Sequence, residues 1–296
     1  MLGAIIILPD RICAHSIKEN PDVGKHIYKT RGLTRLKLYV YQPSRTGSDE
    51  KLPAIIFFHG GGLKERYTWE FQPEAKYLVE KGMVAVLATY TVKRHGRTHF
   101  ESIADAKSAI RWIREHADEL GIDENRIAAG GGSAGGYLAA CSALIKDFDE
   151  KKENTGISSI PNALVMFNPR LILPVIGGPL LSRKDIRYLN GRAIEEISPF
   201  HNIYKGAPPT IIFQGTADKN VSIQEPQQFC EKMKNNGNTC EVVLYEGRDH
   251  GFFHFNLNEG HNPDFYSSME QTVKFLTALG YINGGQGRSN PNNGKP

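Results

Sequence analysis

Short, uninterrupted apolar runs alternate along most of this sequence with longer segments whose apolar residues recur at helical spacing, and that alternation restricts the fold more than any other feature. A strand that is apolar on both faces has to be covered on both, which a mostly parallel sheet flanked by helices achieves. Residues 33–42 and 53–58 read as early strands, 74–81 as a helix and 83–90 as a buried strand. Between Ser102 and Ala117 the residues Ile103, Ala106, Ala109, Ile110 and Ile113 fall on one helical face, with Gly121 expected as the C-terminal cap. A strand over 126–130, a helix over 134–146 and a strand over 162–167 follow. Residues 168–207 carry several prolines and glycines and no long period, so they read as an excursion over the sheet edge, with a small lid as one form of it. The sheet resumes at 210–214, then come a helix over 224–234, the last strand over 241–245 and the last helix over 264–279. The expected class is α/β, with helices on both faces of the sheet, one domain over 1–282 and a disordered tail rich in Gly, Asn and Pro over 283–296.

With 40% hydrophobic and 23% charged residues, the chain of 296 has the balance of a globular protein, and no run approaches the roughly 20 apolar residues of a membrane span. Its net charge of +4 comes from scattered pairs such as Lys93-Arg94 and Lys151-Lys152 with acids between them. No aromatic-rich basic stripe accompanies them, so no nucleic-acid partner is expected. The opening run Leu2–Leu8 lacks a basic n-region and is closed by Pro9, Asp10 and Arg11, which makes a poor signal peptide. A truncated leader, a first strand and a disordered start all fit it, and a secreted or periplasmic setting is favoured slightly over a cytoplasmic one. Of the four cysteines, Cys230 and Cys240 flank a helix-to-strand turn that would let them bridge, two unpaired thiols being the alternative; Cys141 reads as core packing.

The segment Gly130-Gly131-Gly132-Ser133-Ala134-Gly135-Gly136 sits where a strand gives way to a helix and contains Gly-x-Ser-x-Gly. At such a turn the serine is forced into a strained conformation with its hydroxyl exposed, while the flanking glycines remove side chains that would clash with the neighbouring strand and helix. The helix N-terminus aims amide N–H groups at any anion formed there. Ser133 is therefore the candidate nucleophile. As a bare string the motif also fits a glycine-rich loop with an incidental serine.

His59-Gly60-Gly61-Gly62 follows the run 55–58 and has no downstream Gly-Lys-Ser/Thr of a phosphate-binding loop. Its glycines allow close backbone approach, and Gly61, Gly62 and Ala134 are the candidate N–H donors to a tetrahedral oxyanion. His59 reads as a brace for that loop. A serine hydroxyl needs a base, and the base an orienting acid. Asp218 lies in the loop after strand 210–214 and His250 in the loop after strand 241–245, in the chain order Ser, Asp, His. Asp249 is a poor rival for the acid because consecutive side chains diverge. His254 and His261 lack the strand-end position; His95 follows a strand end and reads as a surface residue, with the pocket lining as the alternative. Tyr67, Trp69 and Arg94 fall in loops around the expected pocket mouth.

Taken together, His59-Gly60-Gly61-Gly62, the segment 105–112, Gly131–Gly136 around Ser133, Asp218 and His250-Gly251-Phe252-Phe253 resemble the carboxylesterases of the hormone-sensitive-lipase and feruloyl/acetyl-xylan-esterase branches of the α/β-hydrolase superfamily, over about residues 53–279. The resemblance implies an α/β-hydrolase fold and a serine esterase acting through an acyl-enzyme with neither metal nor organic cofactor. Because the residues before His59 read mainly as strands, no large cap domain is expected. The resemblance further implies a small-molecule or oligosaccharide ester as substrate, on the pattern of the acetyl xylan esterases. A general short-chain carboxylesterase, a ligand-binding receptor on the same fold and an amide hydrolase are the alternatives. Only neutral imidazole accepts the serine proton, so activity is expected to rise with pH through a histidine titration, about 6.5 for a free ring.

Overall fold

A computed structural model describes residues 23–44, 50–92, 99–173, 189, 191–255 and 262–283. Its strands are β1 (Val23–Arg31), β2 (Thr34–Tyr41), β3 (Leu52–Phe58), β4 (Val84–Ala88), β5 (Ile122–Gly132), β6 (Ala163–Phe167), β7 (Thr210–Gly215) and β8 (Cys240–Tyr245). They make one eight-stranded sheet in the order β1-β2-β4-β3-β5-β6-β7-β8. The β1–β2 and β2–β4 pairings are antiparallel, and every pairing from β4 through β8 is parallel. The helices are α1 (Gln72–Glu80), α2 (His99–Glu115), α3 (Ala117–Leu120), α4 (Ala134–Leu144), α5 (Gln224–Asn235) and α6 (Pro263–Ala278).

Successive residues of the central strands enter opposite cores, which is why those strands read as unbroken apolar runs. Ile56, Phe58, Val86, Ala129, Leu164 and Ile212 pack with Ile110 of α2, Leu138 of α4 and Phe229 of α5. Ile55, Phe57, Leu87, Ala128, Val165 and Ile211 pack on the other face with Leu78 of α1 and Met269 and Leu276 of α6. Helices on both faces of a mostly parallel sheet are the expected architecture, and ahead of β3 the described residues form two strands rather than a helical cap.

The structure refines the expectations at several points. β1 is an added edge strand whose charged residues broke any apolar period; Lys29 and Arg31 reach Asp105 of α2 at 3.0 and 2.8 Å. Gly121, with φ 63°, caps the separate short helix α3 rather than α2, which ends at Glu115. In the excursion the described part carries two 3₁₀ turns, Ile194–Ile197 and Pro199–Asn202, while 174–188 lie outside the described residues, and with them the lid reading. The run Leu2–Leu8, Arg94, His95, His261 and 284–296 also lie outside them. Cys230 and Cys240 form a disulfide with Cα atoms 5.1 Å apart, and Cys141 is a buried free thiol. Among the described residues no helix is long and apolar enough to cross a membrane.

Candidate active site

β5 ends in the turn that presents Ser133, whose φ of 52° and ψ of −111° lie outside the regions ordinarily open to a residue with a Cβ. Two contacts hold it there. Ser133 N–H donates to Phe167 O at 2.9 Å, and Tyr137 N–H closes the first turn of α4 onto Ser133 O at 3.0 Å. The glycines at either side are required by space: a Cβ on Gly135 would stand 1.9 Å from Phe58 O, and one on Gly131 2.3 Å from the same oxygen. Only with both bare can α4 press against the end of β3. The Ser133 hydroxyl makes no capping hydrogen bond to its own helix.

The loops after β7 and β8 bring Asp218 and His250 together, with His250 Nδ1 2.7 Å from Asp218 Oδ2. Gln214 Nε2 also donates to Oδ2, at 3.0 Å, and the N–H groups of Asn220 and Val221 donate to Oδ1 at 2.7 and 3.0 Å. Burial of the Asp218 side chain pushes its pKa up, but the hydrogen bond and charge of His250 and the two amides outweigh that, and the carboxyl lies below its ordinary value. An ionised acid on Nδ1 fixes the histidine tautomer with Nδ1 protonated and Nε2 free to accept. Asp249 is turned away: its carboxylate accepts from Gly251 N–H at 3.1 Å.

The His59–Gly62 loop is held one peptide unit at a time. Tyr90 OH donates to His59 O at 2.8 Å, and Gly60 N–H, at the other end of the same peptide plane, donates to Glu70 Oε2. In the next unit Gly60 O accepts from His59 Nδ1 at 2.8 Å and from Tyr90 OH at 3.2 Å. In the third, Gly61 O accepts from the N–H groups of Lys64 and Glu65 at 2.9 and 3.1 Å. Because a trans peptide is planar with N–H opposite C=O, anchoring Gly60 O and Gly61 O fixes the directions of the Gly61 and Gly62 N–H groups. No hydrogen bond to a described residue occupies the Gly61, Gly62 or Ala134 amide. Gly61 and Gly62 have φ of 93° and 61°, a region that favours glycine. Buried and stacked on Tyr90, the His59 ring is pushed down to about 4, so it stays neutral as a donor to Gly60 O.

Ser133, His250, Gly60, Gly61 and Gly62 line one cavity of about 290 Å³, together with Tyr67, Glu70, Arg170, Phe253 and His254. Tyr67 thus lies at the site, whereas Trp69 packs at a tilt against Tyr39, 4.5 Å between ring centres. Four supporting residues escaped the sequence reasoning: Glu70, Asn168, Arg170 and Gln214. Asn168 and Gln214 sit at or beside strand ends and carry amides inside apolar runs, the one signal that marks them. A larger cleft of about 790 Å³ lies elsewhere, beside Arg114, whose guanidinium is taken up by the carbonyls of Glu124, Ser158 and Ile160.

Known proteins resemble this chain along most of its length. The family described as BD-FAE matches residues 38–167 and the prolyl oligopeptidase family residues 183–276. Esterase 2 of Thermogutta terrifontis, in its apo form, is 41% identical and superposes with a TM-score of 0.82 over 88% of this chain and 96% of its own. Other structures of that esterase are described as propionate bound, butyrate bound and phosphorylated by paraoxon. Carboxylesterase NlhH of Mycobacterium tuberculosis is 26% identical over 76% of this chain and 74% of its own length. Endo-1,4-beta-xylanase B of Butyrivibrio fibrisolvens is 24% identical over 78% of this chain and 37% of its own. The chain spans half or less of the first two curated relatives it matches, 50% and 40% of their lengths.

Proposed function

Since the chain belongs to the hormone-sensitive-lipase-like branch of the α/β-hydrolase serine carboxylesterases, we propose that it cleaves short-chain carboxylic esters with Ser133 as nucleophile, His250 as general base and Asp218 as the orienting acid. The observation that carries this is the His250–Asp218 hydrogen bond of 2.7 Å. Its imidazole lines the same cavity as Ser133. Ser133 Oγ attacks the ester carbonyl as its proton passes to His250 Nε2, and the charge on the former carbonyl oxygen is met by the N–H groups of Gly61, Gly62 and Ala134. Collapse of the tetrahedral species breaks the bond to the alcohol, which leaves with the proton from His250. Water then repeats the sequence on the acyl-enzyme and releases the acid.

The acyl group we assign is short, acetyl to butyryl. A cavity of about 290 Å³ is at the small end of ligand pockets and suits a small ester. Propionate and butyrate in the Thermogutta esterase support the same size class. For the alcohol we propose the hydroxylated sugar of an acetylated plant polysaccharide, feruloyl being larger than the acyl class assigned. The matches to the BD-FAE family and to a xylanase support it, as do the polar groups of Tyr67 and His254 in the lining. A general short-chain carboxylesterase is the second reading, favoured by the likeness to NlhH.

Hydrolysis of nitrophenyl esters from acetyl to octanoyl, beside acetylated xylan and methyl ferulate, tests both parts. Turnover of short esters and xylan that disappears in Ser133→Ala is the expected result. Turnover of short esters without release of acetate from xylan selects the second reading, and no turnover of any ester overturns both.

A further inference from the structure

Glu70 has no place in the proton transfers, yet its carboxylate lines the cavity that Ser133 lines. Its Oε2 takes the Gly60 N–H, and its Oε1 stands 3.7 Å from His254 Nε2. The side chain is 9% exposed. A Cβ on Gly60 would lie 3.3 Å from both carboxylate oxygens, so the loop and this acid fit closely and a larger residue would press on the carboxylate.

We propose that Glu70 is a positioning residue for the oxyanion loop, holding the His59–Gly60 peptide plane so that the two peptides beyond it aim their N–H groups into the cavity. A glycine-rich segment reverses its peptide planes at little steric cost, because glycine occupies positive and negative φ alike. Of the three peptide units in the loop, the second and third are anchored through their carbonyls, Gly60 O and Gly61 O, to groups of the loop itself or to Tyr90. The first is clamped at both ends, by Tyr90 OH on His59 O and by Glu70 on Gly60 N–H. Without Glu70 the Gly60 amide is buried with no acceptor, and rotation of that plane toward water relieves it. Such a rotation withdraws His59 O from Tyr90 OH, the hydroxyl that also contacts Gly60 O, and so loosens the next peptide, whose other end is the Gly61 N–H. The loss is specific to the state in which negative charge has formed, since a neutral ester draws little on those donors.

The inference rests on the proposed esterase reading and is tested with nitrophenyl acetate on the full chain, once Ser133→Ala has been shown to abolish turnover. Absence of turnover in the unmutated protein, or turnover that survives in Ser133→Ala, would overturn the esterase reading and the role of Glu70 with it. Glu70→Gln keeps an acceptor for Gly60 N–H, and Glu70→Leu removes it. The expected result is a fall in kcat of about ten- to a hundredfold in Glu70→Leu with KM within about threefold, and recovery to within about threefold of the original kcat in Glu70→Gln. A second measurement reads the donors without turnover: the rate of inactivation by paraoxon, whose phosphoryl oxygen seeks the same N–H groups, should fall in parallel with kcat. Equal kcat in all three proteins overturns the proposal. So does an equal loss in both variants, which would assign the carboxylate charge itself to the chemistry. If Glu70→Leu does not fold, Glu70→Ala replaces it, and an unchanged paraoxon rate in that variant is likewise decisive against the role.

Discussion

Asn168 ties the end of β6 to the candidate base: its Nδ2 donates to His250 O, while its Oδ1 accepts from Gly215 N–H at 3.1 Å. One buried amide therefore sets the separation of the loops that carry His250 and Asp218, at a φ of 42° that asparagine tolerates better than most residues. Asn168→Ala leaves a buried carbonyl and a buried amide without partners. The expected cost is about 2 kcal/mol in unfolding free energy with a fall of about tenfold or more in kcat. Urea denaturation alongside kcat measurement checks both.

Asp218→Asn should fold and lose activity, because an amide facing Nδ1 no longer secures the tautomer with Nε2 free. The expected fall in kcat is about 10²- to 10⁴-fold, with a smaller change in KM. Stability adds a second readout. The folded pKa of Asp218 lies below its unfolded value, so the ionised carboxylate contributes stability above that unfolded value, and the contribution is lost as pH falls through the folded one. The difference in melting temperature between the original protein and Asp218→Asn should therefore shrink at the acid end.

Gly135→Ala should fail to accumulate as folded protein. Its Cβ would meet Phe58 O at 1.9 Å and Phe58 C at 2.6 Å, backbone atoms of β3 that have nowhere to retreat. Gly237→Ala serves as the control: it also alters a glycine, with φ 78°, but nothing lies within 4 Å of the added carbon. A loss of about 1 kcal/mol, from conformation alone, is expected there. Soluble yield and circular dichroism separate the two outcomes.

Burial pushes Glu70 up to about 7 from an ordinary 4.5, against the pull of the Gly60 amide. Between those values the folded protein holds a proton that the unfolded chain has released, so this group lowers stability as pH rises from 4.5 to 7 and leaves it lowered above. Glu70→Gln removes the titration. It should raise the melting temperature at pH 8 and leave it nearly unchanged at pH 4.5. His254 acts in the opposite sense on the acid side: burial and the nearby His250 hold it down to about 4 from 6.5, and stability falls as pH drops through that interval. Melting curves of both proteins from pH 4 to 8 give the comparison.

Reduction of the Cys230–Cys240 disulfide should lower stability by about 2–3 kcal/mol, the scale for a short closed loop. Cys240 begins β8, whereas His250 follows the far end of that strand, so kcat for nitrophenyl acetate at 25 °C should not change. A reductant series followed by melting temperature and activity tests the separation of the two effects.

What the sequence determined by itself is what local chemistry enforces. Unbroken apolar runs at 53–58, 83–90 and 162–167 require cover on both faces, and so set a parallel sheet between helices. Glycines around Ser133 and after His59 permit a strained turn and a close-lying loop, and the strand-end positions of Asp218 and His250 put them on one edge of the sheet. The Cys230–Cys240 pairing was half legible, since the intervening turn allows it without requiring it. Tertiary structure decided what depends on partners distant in sequence. β1 is held by ion pairs from Lys29 and Arg31 to Asp105, 76 and 74 positions on, and carries no apolar period that would announce it. Asn168 and Arg170 look like ordinary polar residues until folding buries them, the first between His250 O and Gly215 N–H, the second between Glu225 and Asn220 O. A hydrogen bond between groups tens of residues apart leaves no periodicity in the chain, because its geometry exists only once the strands that carry its ends are in register.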